Sequence, residues 1–408
     1  MLSRSTRTLA ALALAACALP ALAVIPATER QALIDLYNST LGDGWTHNDG
    51  WKDANGNFNG VGSECDWHGI TCDVFEHYVT EIDLSDNGLG GSLPELGALT
   101  ELETFRVYFN QLTGPIPDLS ELTALKYFYA FGNQLSGPLP ALNGLAALDT
   151  FQVSDNQLSG SLPELSGLTA LEYFYVDHNQ LTGTIPELSN LPVLKDFIAG
   201  NNQLTGTIPD LSALTALEAF NLRENRLTGT IPDLSKLTAL EYFYVDHNQL
   251  TGPIPDLSKL EEMAEFDASA NRLTGPIPEL SALTWLGSFY VDHNQLTGTI
   301  PDLGALAWLR YFHVDHNRLT GTVPDAPGTL LAGRSALCPN NLSAPSNTDA
   351  AWNAATGESP WWRQCAAAAV PALGEGALAL LGLLLGGVGA VRLGALKKIG
   401  LQRLSGKR

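Results

Sequence analysis

The sequence is poor in basic residues: 22 Lys and Arg stand against 43 Asp and Glu in 408 residues, a formal net charge of −21. The two ends, 1–23 and 370–408, hold eight of the basic residues and one acidic residue, which leaves 14 basic and 42 acidic residues for 24–369. Nucleic-acid binding needs clustered Lys and Arg, so this composition excludes it for the middle of the chain. A hydrophobic content of 45% also excludes a disordered chain.

The first 23 residues are predicted to be a signal peptide. Two arginines precede an apolar run, and Ala21-Leu22-Ala23 fits a cleavage site built from small residues. The segment Leu14-Ala15-Ala16-Cys17 also resembles a bacterial lipobox, so a lipidated Cys17 remains an alternative. Both interpretations export the body of the protein.

Cysteine is scarce, and only four cysteines follow Cys17. An even number in an exported chain predicts disulfides, and proximity favours Cys65–Cys72 and Cys338–Cys365, although three connectivities are formally open. A four-cysteine metal site is disfavoured because the two pairs are far apart in sequence and the compartment is oxidising.

The segment 370–408 is predicted to be a sorting signal with a transmembrane helix at about 376–396 and a basic tail. A charge-free run of 16 residues precedes Arg392, and the helix lengthens if that arginine snorkels. The basic tail would stay inside the cell and the body outside. The segment resembles the IPTL-CTERM signal of Gram-negative bacteria, which is similar to PEP-CTERM signals, through Pro371, Leu373 and Glu375. The resemblance implies a sorting protease as a partner and an envelope or surface location; an uncleaved membrane anchor is the alternative.

Asparagine recurs every 23 residues, eleven times from Asn87 to Asn317. Counted from each Asn as position 0, most repeats have Leu at −8, Phe at −5, a small or aliphatic residue at −3, Leu at +2 and Pro at +7. The pattern LxxLxLxxNxL is that of leucine-rich repeats, and the tract LTGxIP resembles the plant-type subclass. The resemblance implies an α/β solenoid, mostly β and loop, over 79–330.

Position −5 is predicted to form the core of this solenoid. Alternation along a strand points −5 and −3 to one face, and stacking the repeats in a parallel sheet buries that face. Ten of the eleven repeats have Phe at −5. We therefore expect a stacked phenylalanine spine, with each Asn bonding to backbone groups of the loop that follows the strand.

Caps are predicted at both ends of the repeats. Residues 24–78 resemble the N-terminal cap of plant-type repeat proteins, with Thr28 and Gln31 as a capping box before a short helix. Residues 331–369 are expected to form a C-terminal cap and linker. The acidic residues at +8, such as Asp210, are expected to cap exposed N–H groups rather than to form a cation-binding ladder.

The predicted ligand-binding surface is the concave face, which we define by positions −6, −4, −2 and −1 of each repeat. Exposed Tyr rings are typical of docking surfaces, and adjacent carboxylates favour a basic partner or coordinate Ca²⁺ or sugar hydroxyls. Repeat duplication and cross-strand Tyr stacking are the competing explanations. The candidates are Tyr127, Tyr129, Tyr173, Tyr175, Asp177, His178, Tyr242, Tyr244, Asp246, His247, Tyr290, Asp292, His293, Tyr311, His313, Asp315 and His316.

The Asp-His pairs are not expected to be catalytic. Consecutive strand residues point to opposite sides, and no Ser or Cys nucleophile is placed with them. His293, His313 and His316 lie in adjacent repeats, but imidazoles along a sheet are more often solvated or stacked, so no metal is predicted. No cofactor is expected, with Ca²⁺ left open.

These features predict a non-enzymatic recognition or adhesion protein, exported and anchored at a membrane or surface, that binds an extracellular protein or glycan. A structural spacer of the envelope is the alternative. A receptor-like ectodomain that signals through a partner is a further one.

Overall fold

The computed structural model describes residues 24–343, 349–362 and 365. The predicted signal peptide, the sorting-signal residues Pro371, Leu373 and Glu375, and the helix predicted at about 376–396 lie outside the described residues. No helix within the described ranges is long and apolar enough to cross a membrane.

The chain folds into a β-solenoid of about eleven turns whose main sheet has twelve strands. The strands pair in parallel and in register, except for the first pair, which is antiparallel. The strands of this sheet are Ile70–Cys72, Val79–Asp83, Thr104–Arg106, Tyr127–Tyr129, Thr150–Gln152, Tyr173–Tyr175, Asp196–Ile198, Ala219–Asn221, Tyr242–Tyr244, Glu265–Asp267, Ser288–Tyr290 and Tyr311–His313.

Shorter elements complete the described chain. A four-stranded sheet follows the Asn turns of repeats two to five, and a two-stranded sheet lies near the C-terminal cap. These strands are Thr113–Gly114, Gln134–Pro138, Gln157–Ser161 and Gln180–Thr182, then Thr320–Thr322 and Asn341–Ser343. The helices are the α-helices Ala27–Ser39 and Asp349–Thr356 and the 3₁₀ turns Gly42–Gly44 and Glu64–Asp66.

The predicted phenylalanine spine is confirmed. All ten Phe side chains at −5 are fully buried. Successive rings lie 5.4–5.9 Å apart with interplanar angles of 14–24°. Such offset aromatic pairs contribute about 0.5–1.5 kcal/mol beyond the burial of their area. The spine therefore holds the strands in register, which fixes the spacing of every side chain on the opposite face.

Each repeat Asn from Asn110 to Asn317 joins its own repeat to the preceding one through its amide, as the sequence predicts. Asn133 Nδ2 donates to the carbonyls of Val107 (2.9 Å) and Ala130 (3.2 Å), and its Oδ1 accepts the N–H of Leu112 (3.0 Å). The same set of bonds recurs along the array, for example at Asn248. Buried backbone groups at the end of each strand are thereby paired, which removes the cost of leaving them unsatisfied.

The capping box expected at the N-terminal helix is not formed. Pro26 is the N-cap and has no side-chain cap bond, and the Gln31 amide donates to Asp35 (2.9 Å), one turn along the helix. Proline fixes an extended entry into the helix, so Thr28 lies inside the first turn rather than at its cap. The helix is attached to the first repeat instead by the buried Glu29, which accepts the N–H of Val79 (2.7 Å) and whose pKa burial raises.

Disulfides close both ends of the solenoid. Cys65 pairs with Cys72, and Cys338 with Cys365. Most buried indoles at the two ends find acceptors: Trp51 Nε1 donates to the carbonyl of His68 (3.0 Å) and Trp352 Nε1 to that of Pro324 (2.8 Å). Nε1 of the buried Trp361 has no hydrogen-bond partner among the described residues.

The acidic residues at +8 cap turns where they are aspartates with Ser two residues later. Asp210 accepts both the N–H and the hydroxyl of Ser212, each at 2.9 Å. Asp118, Asp233 and Asp256 make the same pair of bonds. These hydrogen bonds lower the pKa of Asp118, Asp210 and Asp256. For these residues the capping role is confirmed.

Candidate binding face of the solenoid

The tyrosines of the concave face lie as parallel pairs within single strands. Ring centroids at −6 and −4 are 6.5 Å apart for Tyr127–Tyr129 and 6.3 Å apart for Tyr173–Tyr175, with interplanar angles of 7° and 5°. Tyr242–Tyr244 repeats the arrangement at 6.4 Å. Side chains two apart on one strand point to the same side, which is why each Tyr-Phe-Tyr strand places its two Tyr rings on one side of the sheet and its Phe ring on the other.

The tyrosines at −6 and those at −4 differ in exposure, although the same residue type predicts one exposed surface at both positions. The rings at −6 are half-buried, whereas Tyr129, Tyr244 and Tyr290 at −4 are only 8%, 7% and 7% exposed. An arginine of the preceding repeats covers two of them: Arg106 lies 5.8 Å from the Tyr129 ring centre and Arg223 lies 6.0 Å from that of Tyr244. Burial raises the pKa of Tyr244.

A second aromatic cluster was missed by the sequence analysis. Tyr108 and Phe131 stack with centroids 4.7 Å apart and an angle of 4°, and Phe109 packs edge-on against both. Phe109 is 44% exposed. The sequence could have shown this cluster, because repeats two and three have Tyr or Phe at −2 or −1, where the other repeats have neither. They extend the aromatic surface toward the N-terminal end.

The Asp and His of three VDHN segments touch each other, and the expectation that they would not is wrong. The imidazole Nδ1 donates to the carboxylate of the preceding residue for Asp246–His247 (2.9 Å), Asp292–His293 (2.9 Å) and Asp315–His316 (2.7 Å). The main-sheet strands of these repeats span three residues, and the residue at −1 has a left-handed backbone, with φ of 51–55° at these histidines. That turn folds the imidazole back onto its neighbour, which a continuing strand would not do.

The fourth pair, Asp177–His178, is arranged differently. Asp177 accepts the hydroxyl of Ser154 from the preceding repeat, and its Oδ2 is 3.8 Å from Nε2 of His178. Burial is the largest influence on Asp177 and raises its pKa. Asp177 is thus bonded to the preceding repeat rather than to Nδ1 of its own histidine.

In repeat eight, an arginine from the preceding repeat lies beside the Asp-His pair. Asp246 is fully buried, and Nη2 of Arg223 is 3.4 Å from its Oδ2. The hydrogen bond to Asp246 raises the pKa of His247. The carboxylate is therefore shared between an imidazole and a guanidinium.

In repeats ten and eleven, two Asp-His pairs lie side by side. The His293 and His316 rings stack with centroids 4.0 Å apart and an angle of 13°. His313 lies on the same face, with Nε2 2.9 Å from the carbonyl oxygen of Arg334. The hydrogen bond from His293 to Asp292 raises the pKa of His293. The five side chains form the densest group of metal-ligand atoms among the described residues.

Positions −2 and −1 are acidic along most of the face. Seven of the eleven repeats have a carboxylate there: Asp86, Asp155, Asp177, Glu224, Asp246, Asp292 and Asp315. Arg223 is the one Lys or Arg at these two positions. At position −7, Lys126 and Lys195 are paired with the glutamates of the preceding repeats at 2.7 and 2.5 Å. Unpaired positive charge is therefore scarce on this face, and its chemistry suits a partner with basic and aromatic groups.

The Asp-His pairs lack the arrangement of an acyl-transfer site. Within the described ranges, no Ser or Cys side chain is bonded to His247, His293 or His316. A catalytic imidazole needs such a nucleophile within hydrogen-bond reach.

Comparison with known proteins places the fold among leucine-rich-repeat proteins. No protein-family model matches the chain, and no curated protein matches its sequence. Among solved structures, it is similar to the plant peptide hormone receptor RGFR1 in complex with RGF2, at 35% identity and a TM-score of 0.60, over 62% of this chain. It is also similar to the leucine-rich-repeat ectodomain of the Arabidopsis receptor kinase HAESA with an IDA peptide hormone, at 28% identity and a TM-score of 0.54, over 77% of this chain.

These receptors are longer than this chain, which spans 43% of the RGFR1 chain and 57% of the HAESA chain. A plant ice-binding protein is similar over 96% of its own length and 78% of this chain, at 25% identity and a TM-score of 0.55. The fold shared with these ectodomains is not an enzyme fold. Extracellular neighbours and two disulfides indicate an exported protein.

Proposed function

We propose that the protein is an exported recognition protein that binds an extracellular peptide or protein through its concave face. The observation that carries the proposal is the set of stacked Tyr pairs beside carboxylates that seven of the eleven repeats place on the same face of the sheet. Rigid aromatic rings supply binding area at low entropic cost, and the carboxylates select for basic residues. The similar receptors RGFR1 and HAESA were solved with peptide ligands.

The partner we favour is an extended segment that carries Lys or Arg between aromatic or aliphatic residues. Such a segment can lie across successive strands, with its apolar groups on the tyrosines at −6 and its cations on the carboxylates at −2 and −1. A glycan is the second ligand class, since Tyr rings and carboxylates also bind sugar faces and hydroxyls. Anchoring at a membrane or surface of a Gram-negative cell, through segment 370–408 and its sorting protease, is part of this proposal and is supported by the sequence.

The test is a screen of the purified protein, disulfides intact, against extracellular-peptide, protein and glycan arrays with and without Ca²⁺. The variant replaces the half-buried tyrosines at −6, Tyr127, Tyr173, Tyr242 and Tyr311, with Ser. We choose these because replacing Tyr244 would also empty a buried position. Trp285 and Trp308, exposed and stacked 5.8 Å apart at −9, provide the control when both are changed to Ser.

We expect a saturable ligand that is lost in the Tyr variant, kept in the Trp variant and weakened by added salt, because exposed charges are screened. Equal binding by both variants, with unchanged circular dichroism, would contradict the assignment to the concave face. A clean negative from folded protein would favour the envelope spacer, or a receptor-like ectodomain whose partner is absent from the arrays.

A second candidate function rests on the threonines at +3 and +5. All of them are exposed. At +3, five of the seven donate their hydroxyls to a glycine carbonyl of the preceding repeat, as Thr205 does to Gly183 (3.1 Å) and Thr228 to Gly206 (3.2 Å). At +5 the methyl of Thr184 lies against Gly206, where an added Cβ would be 2.8 Å away. The columns are Thr182, Thr205, Thr228, Thr251, Thr274, Thr297 and Thr320, with Thr184, Thr207, Thr230, Thr299 and Thr322.

Two parallel columns of fixed hydroxyls and methyls, repeated about every 4.8 Å, form a regular lattice suited to an ordered water surface. The likeness to a plant ice-binding protein favours ice as the ligand. Inhibition of ice recrystallisation tests this candidate. We expect Thr207→Lys with Thr230→Lys to abolish inhibition and the concave Tyr variant to keep it; no inhibition by the unaltered protein would exclude it.

A further inference from the structure

The end of the concave face in repeats ten and eleven gathers metal-ligand atoms in two overlapping groups. His293, Asp315 and His316 form one group, and Asp292, His313 and Asp315 form the other; within each, one ligand atom per residue lies within 4.8 Å of the rest. Asp315 belongs to both groups. The chemistry of the cluster therefore depends on the state of the Asp315 carboxylate.

The Asp315 carboxylate is buried, and only one of its two oxygens accepts a hydrogen bond from the described residues. The residue is 7% exposed, and its Oδ2 accepts the Nδ1–H of His316 (2.7 Å). Its Oδ1 is buried and has no hydrogen-bond partner among the described residues. A buried carboxylate oxygen without a donor is costly, and a cation bound beside it removes that cost.

The geometry also fixes which nitrogen of His313 is available. A carbonyl oxygen only accepts hydrogen bonds, so the proton of His313 is on Nε2, which donates to Arg334 (2.9 Å). In the neutral ring Nδ1 then carries no proton and can bind a metal. A ligand histidine whose other nitrogen donates to a carbonyl is the usual arrangement around protein-bound metals.

His293 and His316 hold the two carboxylates in place. Each donates Nδ1–H to one oxygen of its own aspartate, Asp292 or Asp315, and leaves the second oxygen outside that bond. Among the described residues, the basic side chains paired with these two aspartates are their own histidines. Two adjacent carboxylates repel each other, and a divalent ion between them turns that repulsion into attraction.

We propose that Asp292, His313 and Asp315 bind a divalent transition-metal ion of the Zn²⁺ or Co²⁺ class, with His293 and His316 as positioning residues. An imidazole ligand favours Zn²⁺ or Co²⁺ over Ca²⁺ and Mg²⁺, which prefer all-oxygen sites. Three protein ligands leave at least one coordination position for water or for a group of a bound partner. The ion joins repeat ten to repeat eleven beside the C-terminal cap and does not depend on the proposed peptide ligand.

The test is titration of the full-length, tag-free, chelator-treated protein with Co²⁺ alone, followed by visible absorption, and with Zn²⁺ by calorimetry. We expect one saturable equivalent of Co²⁺ that Zn²⁺ displaces and that Ca²⁺ and Mg²⁺ do not. Asp315→Asn and His313→Ala should each weaken binding at least about tenfold, the range found when groups around a metal are lost. His313 is only partly buried, so its variant remains informative if Asp315→Asn folds poorly.

The chain supplies its own control in repeat eight. His247→Ala removes an identical Asp-His pair that lies beside Arg223 and away from both groups. We expect this variant to bind Co²⁺ as the unaltered protein does. No saturable binding, equal loss in the control, or displacement of Co²⁺ by Ca²⁺ would each overturn the proposal.

Discussion

The sequence VDHNQLTG occurs three times, and its copies in repeat eight, from Val245, and in repeat ten, from Val291, have different chemistry. In both, the histidine is left-handed, with φ of 54° and 55°, and Nδ1 lies 2.9 Å from the preceding aspartate. Asp246 is fully buried beside Arg223, whereas Asp292 is partly exposed beside Asp315. Identical segments thus have identical turns but different electrostatic surroundings.

The comparison shows that a repeat fixes its own backbone, while the neighbouring repeat fixes the chemistry of its side chains. Strands about 4.8 Å apart bring each −2 side chain closer to its counterparts in adjacent repeats than to most of its own repeat. The residues that distinguish the two copies, Arg223 on one side and Asp315 on the other, are 23 residues away in sequence. A ligand site on this face is therefore a property of adjacent pairs of repeats.

The largest expected effect comes from the core that both copies share. Phe243 and Phe312 are fully buried in the same spine, so each Phe→Ala change should lower the free energy of unfolding by about 3–5 kcal/mol. Urea denaturation followed by circular dichroism measures both. A much smaller loss at Phe312 would show that the core under repeat eleven is not equivalent to the core under repeat eight. The comparison of the two regions requires that equivalence.

The next effect separates the two aspartates. Asp246→Asn leaves Arg223 without its closest buried partner and should cost about 3 kcal/mol, as breaking buried ion pairs does. Asp315→Asn removes repulsion with Asp292, so in chelator we expect a change within about 1 kcal/mol or a gain in stability. If urea denaturation showed the same loss of unfolding free energy for both variants, the neighbouring repeat would not determine how much each aspartate contributes to stability.

A smaller effect is the pH dependence at His247. The hydrogen bond to Asp246 raises the pKa of His247, so the protonated ring is favoured in the folded state. Its stabilising contribution is complete below the ordinary histidine pKa of about 6.5 and is lost as pH rises through the raised value. The stability difference between the unaltered protein and His247→Ala should therefore be larger at about pH 6 than at about pH 9. A difference independent of pH would exclude the bond to Asp246.

The smallest effect concerns the turns at +8, which should not depend on the neighbouring repeat. The hydrogen bonds from Ser258 lower the pKa of Asp256, and those from Ser212 lower the pKa of Asp210. Stability from these groups is present above the ordinary Asp pKa of about 3.9 and is lost as pH falls through the lowered values. Asp256→Ala and Asp210→Ala should lower Tm slightly and equally at neutral pH. Unequal shifts in calorimetry would show that even the turns depend on their neighbours.

The fold of the repeats was predictable because the residues that determine it lie within one repeat. The Phe spine and the Asn bridges follow from period and residue type, and the structure confirms both. The left-handed residue at −1 was missed, although Gly, Asn, Asp or His stands there in eight of the eleven repeats and these types most often adopt positive φ. Ala270 and Glu224 adopt the same conformation, so the turn does not depend on residue type alone. The contact between the Tyr244 ring and Arg223 joins two repeats, so a single-repeat pattern does not register it.

The central claim, that the neighbouring repeat decides the chemistry of a VDHN segment, is tested most directly by building a second metal site in repeats eight and nine. The variant combines Arg223→Ser, Asp267→His, Ser269→Asp and Ala270→His, which gives repeat eight the neighbours of repeat ten. The measurement is the stoichiometry of Co²⁺ binding, with circular dichroism as the check on folding. His313→Ala is added to remove the native site, because the changes in repeat nine also alter the neighbours of Asp292. We then expect one equivalent of Co²⁺, and a folded variant that binds none would contradict the role of the neighbouring repeat.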